Sequence, residues 1–181
     1  MPFTPFHMGA GLAAKALAGR HFSVLTFGIA QLAMDIEPLV GMLRDAPVLH
    51  GPTHTYLGAV PIACVTAALV PWLCRPLLRR WNQEVLHYRM PWLQESERWS
   101  PQVVLASALA GTFSHVLLDS VMHLDIRPWA PWSDTNGLYA VISLSALHLL
   151  CMAGMAGGAL GWVALQWLRS RRAAHRQRHN T

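Results

Sequence analysis

The chain has 181 residues, of which 53% are hydrophobic and only 13% are charged. A soluble globular domain usually carries about 25% charged residues, so this composition argues against a soluble protein and favours lipid as part of the solvent. The formal net charge is +5, but the excess lies in clusters directly after long apolar segments. That placement is typical of membrane topology and argues against nucleic-acid binding.

Taken in chain order, the apolar segments predict a short helix and four membrane spans. Residues 9–18 are too few to cross a bilayer, so we expect them to lie in the interface or to enter partway. The predicted spans are residues 22–43, 57–74, 103–122 and 137–168. The last is longer than the hydrocarbon core, so it must tilt, protrude or break near Gly154, Gly157, Gly158 and Gly161. The predicted fold class is all-α, a polytopic membrane helical bundle of about four spans plus a short N-terminal helix.

The basic clusters predict the orientation of these spans. Arg75, Arg79 and Arg80 follow the second span, and a second cluster begins at Arg169. We therefore predict one membrane-embedded domain over residues 1–168 and a disordered, basic cytoplasmic tail over residues 169–181, in a bacterial inner membrane. The acids and histidines then fall together at the external ends of the helices, namely Asp35, His50, His54, His115, Asp119, His123 and Asp125.

The third span carries the clearest pattern for a metal site. His115, Asp119 and His123 follow one another at intervals of four residues, so on a helix they share a face with Cβ atoms about 5–6 Å apart. In the alternative, structural interpretation the two histidines cap or pack the helix and Asp119 is a satisfied carboxylate at its end. At membrane depth, however, ionisable groups are costly to bury, which favours a functional role.

Three further segments bring potential ligands to the same end. A Gly-Pro turn presents His50 and His54 before the second span; His54 is the better candidate, while His50 is either a ligand or a surface residue. Asp35 and Glu37 cannot share a helical face, and we favour Asp35 as the ligand. His7 follows a proline-rich N-terminal segment. The predicted metal ligands are His7, Asp35, His54, His115, Asp119 and His123.

Imidazole and carboxylate together suit Zn²⁺, with Mn²⁺ or Fe²⁺ as alternatives. Six ligands exceed what one tetrahedral ion takes, so the sequence predicts one or two divalent ions, bridged by a carboxylate in the second case. Such clusters commonly activate water for attack on phosphoesters. Glu37 and Asp125 are the candidate catalytic residues, as proton acceptors or as groups that hold the ligands.

The sequence resembles the membrane-bound metal-dependent hydrolases of the YdjM-like group. The resemblance covers residues 1 to about 140 and depends on the motifs MPFTPFH (1–7), DIEP (35–38), HGPTHT (50–55), SHVLLD (114–119) and RPWAPW (127–132). That group is distantly similar to zinc-dependent phospholipases C and to single-strand nucleases of the same helical fold. The resemblance implies hydrolysis of a phosphoester by a zinc cluster. It further implies that Asp35, His54, His115 and Asp119 hold one ion, and that Asp119 bridges to a second ion held partly by His7.

We therefore expect a zinc-type membrane hydrolase acting on a phosphoester, possibly of a lipid. Trp129 and Trp132 would lie at the interface, where they would line a lipid entrance. Expected partners are membrane lipid and a small phosphoester substrate; the sequence leaves protein partners open. Two alternatives remain, a non-catalytic membrane protein with a structural metal site and, less favoured, a metal or proton transporter.

Overall fold

The computed structural model describes residues 7–97 and 99–179, and this part of the chain forms helices and no strand. The all-α prediction is therefore confirmed. The first six residues of the MPFTPFH motif lie outside the described residues. The helices are α1 (Met8–Ala18), α2 (Val24–Met34), α3 (Ile36–Leu43), α4 (Tyr56–Leu73), α5 (Arg75–His87), α6 (Pro101–Met122) and α7 (Leu144–His179).

Among the described residues, four segments are long and apolar enough to span a membrane, as predicted. They are Val24–Leu43, Tyr56–Leu73, Pro101–Met122 and Leu144–Arg172. Their outer faces expose large apolar side chains such as Leu69, Trp72 and Leu160, which is expected where lipid and not water surrounds the helices. These properties define the protein as membrane-associated.

Helices α2, α4 and α6 form the core of the bundle by close packing of small residues. Ala30, Ala63 and Ala108 meet at the centre, and all three are fully buried. At Gly111 of α6 a Cβ would lie 2.7 Å from the backbone oxygen of Phe27 in α2, so only glycine allows this approach. Small interface residues of this kind let helix backbones pack tightly in a membrane, where apolar contact alone gives little preference over lipid.

The first predicted span is divided into α2 and α3 at Asp35. Pro38 has no N–H to donate to the carbonyl of Met34, four residues earlier, and its ring clashes with that position in a regular helix. Asp35 accordingly lies in a turn between the two helices. Asp35 keeps helical backbone angles, and its Oδ1 lies 3.6 Å from Nε2 of His115 on α6.

The short helix α1 packs along α7 through glycine contacts. A Cβ on Gly9 would lie 2.1 Å from the carbonyl oxygen of Cys151, and a Cβ on Gly158 would lie 2.4 Å from the backbone of Leu12. Of the three alternatives that the length of the last span left open, a break near the glycines does not occur, because α7 is continuous from Leu144 to His179. Gly154 and Gly158 instead leave room for the backbone of α1.

Three further details differ from the sequence predictions. The last helix begins at Leu144 instead of residue 137, since residues 137–143 form turns. The basic tail was expected to be disordered, but α7 continues through it to His179, because arginine, alanine and glutamine are good helix formers that propagate an existing helix. The segment after the second span forms the amphipathic helix α5, which buries Leu78 and Val85 and exposes its arginines.

The directions of the helices give the bundle two chemically different ends. Helices α2 and α6 end where α4 and α7 begin, and we call this the histidine end, because His54, His115 and His123 lie there. The opposite end carries α5 and the arginines Arg20, Arg75 and Arg169, and we call it the basic end.

Replacing Gly158 by alanine tests the contact between α1 and α7. The added Cβ would meet the backbone of Leu12 and Ala13 at 2.4 Å, so the helices must separate, and we expect a loss of about 1–3 kcal/mol in the free energy of unfolding. Thermal unfolding in detergent, followed by circular dichroism, measures this loss. Gly157→Ala is the matched control, because nothing lies within 4 Å of its added Cβ. Equal melting temperatures for the two variants would contradict the close contact.

Candidate metal centre

Four separate segments deliver imidazoles and carboxylates to one buried point at the histidine end. His115 and Asp119 come from the last two turns of α6, and Asp35 from the turn between α2 and α3. His54 closes a single 3₁₀ turn before α4, and His7 directly precedes α1. All five residues are buried, with relative exposures of 7% or less.

The carboxylate of Asp119 lies at the centre of this group. Its Oδ1 is 3.4 Å from Nε2 of His7, and its Oδ2 is 3.2 Å from Nε2 of His115 and 3.8 Å from Nε2 of His54. Oδ1 of Asp35 lies 3.6 Å from the same His115 nitrogen. Ligands that surround Zn²⁺ as a tetrahedron at 2.0–2.1 Å are about 3.3–3.4 Å apart. The separations therefore match atoms that share a metal ion.

The ring nitrogens that face Asp119, which are Nε2 of His7, His54 and His115, form no hydrogen bond with the described residues. Their contacts with Asp119 are too long or too poorly aligned to be hydrogen bonds. A buried ring nitrogen without a partner costs about 1–3 kcal/mol, and three around one carboxylate are exceptional in a folded protein. The arrangement can hold a metal ion, which would satisfy all three.

A chain of hydrogen bonds orients the ring of His115. Ser114 donates its hydroxyl to the carbonyl of Gly111, so the oxygen of Ser114 accepts from the amide of Gln31 at 3.0 Å. The amide oxygen of Gln31 then accepts from Nδ1 of His115 at 2.7 Å. Because Nδ1 carries the proton, the lone pair of Nε2 points toward Asp119, as metal ligation requires.

Glu37 orients the ring of His54 in the same way. Its Oε2 accepts from Nδ1 of His54 at 3.2 Å, from the backbone N–H of Gly51 at 3.0 Å and from the hydroxyl of Thr53. A side chain at Gly51 would collide with this carboxylate, since its Cβ would lie 2.6 Å from Oε1. Glycine at this position therefore lets the loop close over Glu37 and present His54.

A third pair continues the cluster toward the surface. Nδ1 of His50 lies 2.9 Å from Oδ2 of Asp125, and the ring of His50 packs against those of His54 and His123 with centroids 4.9 and 4.4 Å apart. In the part of the chain that the structure describes, potential ligand atoms within 4.8 Å of one another occur in three overlapping groups of residues. These groups are His7, His115 and Asp119; His50, His54 and Asp119; and His50, His123 and Asp125.

His123 reaches this cluster by a different route from the one that the sequence predicted. The spacing of four residues from Asp119 implied a shared helical face, but α6 ends at Met122 and His123 has extended backbone angles. The helical argument is therefore wrong for His123, because the chain leaves the helix one residue earlier. The extended residue instead packs its ring beside His50.

The electrostatic environment keeps the flanking imidazoles neutral. Burial lowers the pKa of His7 from its usual value to about 4, and it also lowers the pKa of His54 and of His123. Burial is the largest single influence on Asp125 and would raise its pKa, but the interactions with His50 and the backbone hydrogen bonds together outweigh it and lower the pKa. Near neutral pH the imidazoles of His7, His54 and His123 are thus unprotonated and the Asp125 carboxylate is ionised, the forms that bind metal ions.

A small cavity opens beside the centre. Its volume is about 100 Å³, and its lining includes Asp35, Asp119, His50, His123 and Asp125. A buried water needs roughly 10–15 Å³ by the same kind of measure, so the cavity has room for several waters or a small polar group. Its wall also includes apolar side chains from α3 and the following loop, Pro38, Met42 and Leu49.

The structure thus brings together every candidate named from the sequence. His7, Asp35, His54, His115 and Asp119 surround the buried point, and His123 lies on the surface side of it. The candidate catalytic residues contact imidazoles of the cluster: Glu37 contacts Nδ1 of His54, and Asp125 contacts Nδ1 of His50.

Sequence reasoning missed one contributor, Gln31. It is buried and bonds His115, and it precedes Asp35 by four residues. The two therefore share a helical face, and this polar stripe in an apolar span could have revealed it.

The helical bundle and its cluster define the class of this protein, a membrane-type helical protein with a buried His/Asp site that can hold a metal ion. Residues 1–181 match the family model described as Domain of unknown function (DUF4184), so the chain belongs to that family. Comparison with curated proteins and with solved structures gave no match.

Replacing Glu37 by glutamine tests its role in orienting His54. The amide keeps the shape and can still accept a hydrogen bond, but the negative charge that makes the imidazole a better ligand is lost. Because hydrogen-bond partners of metal ligands are typically worth 10–100-fold in metal affinity, we expect the binding of a divalent metal ion to weaken about tenfold. Competition with a metal chelator in detergent gives the affinity. Glu84→Gln, on α5 at the basic end, serves as the control, and equal affinities for both variants would refute this role.

Proposed function

We propose that the protein is a zinc-dependent membrane hydrolase that acts on a phosphoester. The observation that carries the proposal is the set of three buried, unpartnered Nε2 atoms around the Asp119 carboxylate. The resemblance to membrane-bound metal-dependent hydrolases agrees with this chemistry. A mixed imidazole and carboxylate donor set suits Zn²⁺ better than Mg²⁺ or Ca²⁺, which prefer oxygen alone.

The overlapping groups could hold two ions, and Asp119 belongs to two of the groups. His7 and His115, with Asp35 beside them, would hold the first ion, and His50 and His54 the second. The Asp119 carboxylate lies within 3.8 Å of imidazoles of both sets, with Oδ1 near His7 and Oδ2 near both His115 and His54. A pair of such ions supplies Lewis-acid polarisation of a phosphoryl oxygen and activation of water.

Two carboxylates near the centre, Asp125 and Glu37, have different roles in the proposed reaction. Among the described residues Asp125 lines the cavity beside the centre, and Glu37 does not. We therefore give Asp125, with its hydrogen bond to His50, the role of accepting a proton from water in the cavity. Glu37 is a positioning residue that holds the His54 ring and closes the loop through Gly51.

Aromatic side chains near the centre support a lipid phosphoester as the substrate. Trp129 and Trp132 are exposed, at 54% and 77% of their full areas, and the ring of Trp129 packs on Tyr56 with centroids 4.9 Å apart. Tryptophan and tyrosine favour the membrane interface, where lipid headgroups lie. With the basic end on the cytoplasmic side, the centre would face the outer leaflet of a bacterial inner membrane.

A structural metal site is the second candidate, and the cavity is the feature that separates the two. Structural zinc sites are closed by protein ligands, whereas catalytic ones keep a position open for water or substrate. Here the cavity of about 100 Å³ reaches Asp119 and Asp35 themselves. This opening favours catalysis over a role limited to joining helix ends.

The decisive experiment compares Asp119→Ala with the wild-type protein, both purified in detergent. We expect the wild type to contain one to two equivalents of zinc and the variant to lose most of it, because Asp119 contacts every inner imidazole. Metal analysis measures the content, and a panel of phosphomonoesters and phosphodiesters, including phospholipids, measures hydrolysis. We expect the variant's activity to fall by at least a hundredfold. His87→Ala, which removes an exposed histidine at the basic end, is the control.

The outcomes separate the proposals. Unchanged zinc content in Asp119→Ala would reject the ligand assignment. Loss of zinc in the variant, together with no hydrolysis by the wild type, would favour the structural site.

A further inference from the structure

A second and much larger cavity lies at the basic end of the bundle. Its volume is about 1240 Å³, above the range of roughly 300–1,000 Å³ that holds small ligands. It opens between the end of α1, the start of α2, helix α5, the start of α6 and the end of α7. Neither the metal centre nor the proposed hydrolysis uses it. It is lined by apolar and aromatic side chains, including Leu12, Leu25, Leu77, Trp81, Val103 and Trp162.

The charged residues that line this cavity are mostly cationic. Among its described lining residues, Lys15, Arg20 and Arg169 are cationic and Glu95 is the single carboxylate. Glu95 is already bound to Lys15, at 2.7 Å, and Lys15 also donates to the carbonyl of Phe22. Two arginines therefore remain without an acidic partner in the described part of the chain.

Both arginines lie near the turn that ends α1. Gly19 ends α1 with a positive φ of 55°, and a Cβ built there would lie 3.3 Å from the guanidinium of Arg169. Arg20 follows directly in the chain, and its Nε donates a hydrogen bond to Nε2 of His21 at 3.3 Å. The lining of the cavity thus includes two arginines near a buried glycine turn, and guanidinium groups recognise phosphate oxygens.

The interior offers one more polar group. The indole Nε1 of Trp162 is buried and has no hydrogen-bond partner among the described residues, although a buried indole N–H usually finds one. The Lys15 ammonium lies 6.0 Å from the centroid of the same ring. A ligand carbonyl in the cavity would satisfy this donor.

We propose that this cavity binds one phospholipid with an anionic headgroup. The phosphate contacts Arg20 and Arg169, the ester region reaches Nε1 of Trp162, and an acyl chain lies along the apolar wall of Leu12, Leu25 and Val103. Basic pockets between membrane helices on the cytoplasmic side are typical sites for anionic headgroups, and the volume exceeds what a soluble phosphate needs. The lipid would join α1 and α7 to α5 at the end of the bundle opposite to the metal centre.

Native mass spectrometry of the full chain in mild detergent tests this proposal. We expect phosphatidylglycerol to bind with one equivalent and at least about tenfold tighter than phosphatidylcholine, since each basic side chain near the headgroup contributes severalfold. Glycerol phosphate, which lacks acyl chains, should not displace the lipid. Arg20→Gln/Arg169→Gln should abolish the preference, whereas Arg171→Gln/Arg172→Gln removes equal charge from exposed positions outside the cavity lining and should retain it.

A second measurement locates the lipid and does not depend on the arginine variants. Phosphatidylglycerol with brominated acyl chains should quench tryptophan fluorescence, and Trp162→Phe should reduce that quenching more than Trp72→Phe, whose ring is exposed on α4 outside the cavity lining. Equal affinity for the two lipids, equal loss of preference in both arginine pairs, or equal quenching in both tryptophan variants would overturn the proposal. Because Asp119→Ala leaves this cavity intact, failure at one end of the bundle is distinguishable from failure at the other.

Discussion

Burial of the Asp119 carboxylate among imidazole nitrogens is the constraint on which the architecture depends. An ionised carboxylate is expensive to remove from water unless charge or hydrogen bonds compensate it. A metal ion, which the four converging segments can hold, would supply that charge. The break at Asp35, the 3₁₀ turn at His54 and the close approach at Gly51 each serve that convergence. The small residues between α2, α4 and α6 then allow the helices to stand close enough for their ends to share one site.

Much of the fold followed from composition and spacing. Uninterrupted apolar runs of spanning length give helices α4 and α6 within two residues of their predicted ends, because lipid requires the backbone to satisfy its own hydrogen bonds. The interruption at Asp35 could also have been predicted from Pro38, but a hydropathy average over the span does not show it. Helix α5 was not predicted, because its arginines were interpreted only as a sign of membrane topology, although its apolar residues recur at helical spacing. Helix α7 continues through its glycines because these pack against α1, and no local sequence pattern shows that contact.

The site could be predicted where one helix carries several potential ligands. It was harder to predict where the contacts join residues from segments that are far apart in the sequence. His115 and Asp119 share a face by simple helical geometry, and that inference agrees with their positions. The relation between Glu37 and His54 joins residues 17 apart through a loop whose path is set by Gly51. The Gln31 bond to His115 crosses from α2 to α6 over 84 positions. Such contacts follow from packing, so the sequence suggested which residues matter but not which atom of each would face the centre.

The packing of α1 along α7 has a consequence for biosynthesis. Helix α1 docks chiefly on α7, which is synthesised after the other described helices, and α1 is too short to cross the bilayer alone. Until α7 is inserted, α1 lacks the helix along which it packs, so the position of His7 beside His115 and Asp119 is not yet fixed. The buried cluster therefore takes its final form only when α7 has joined the bundle.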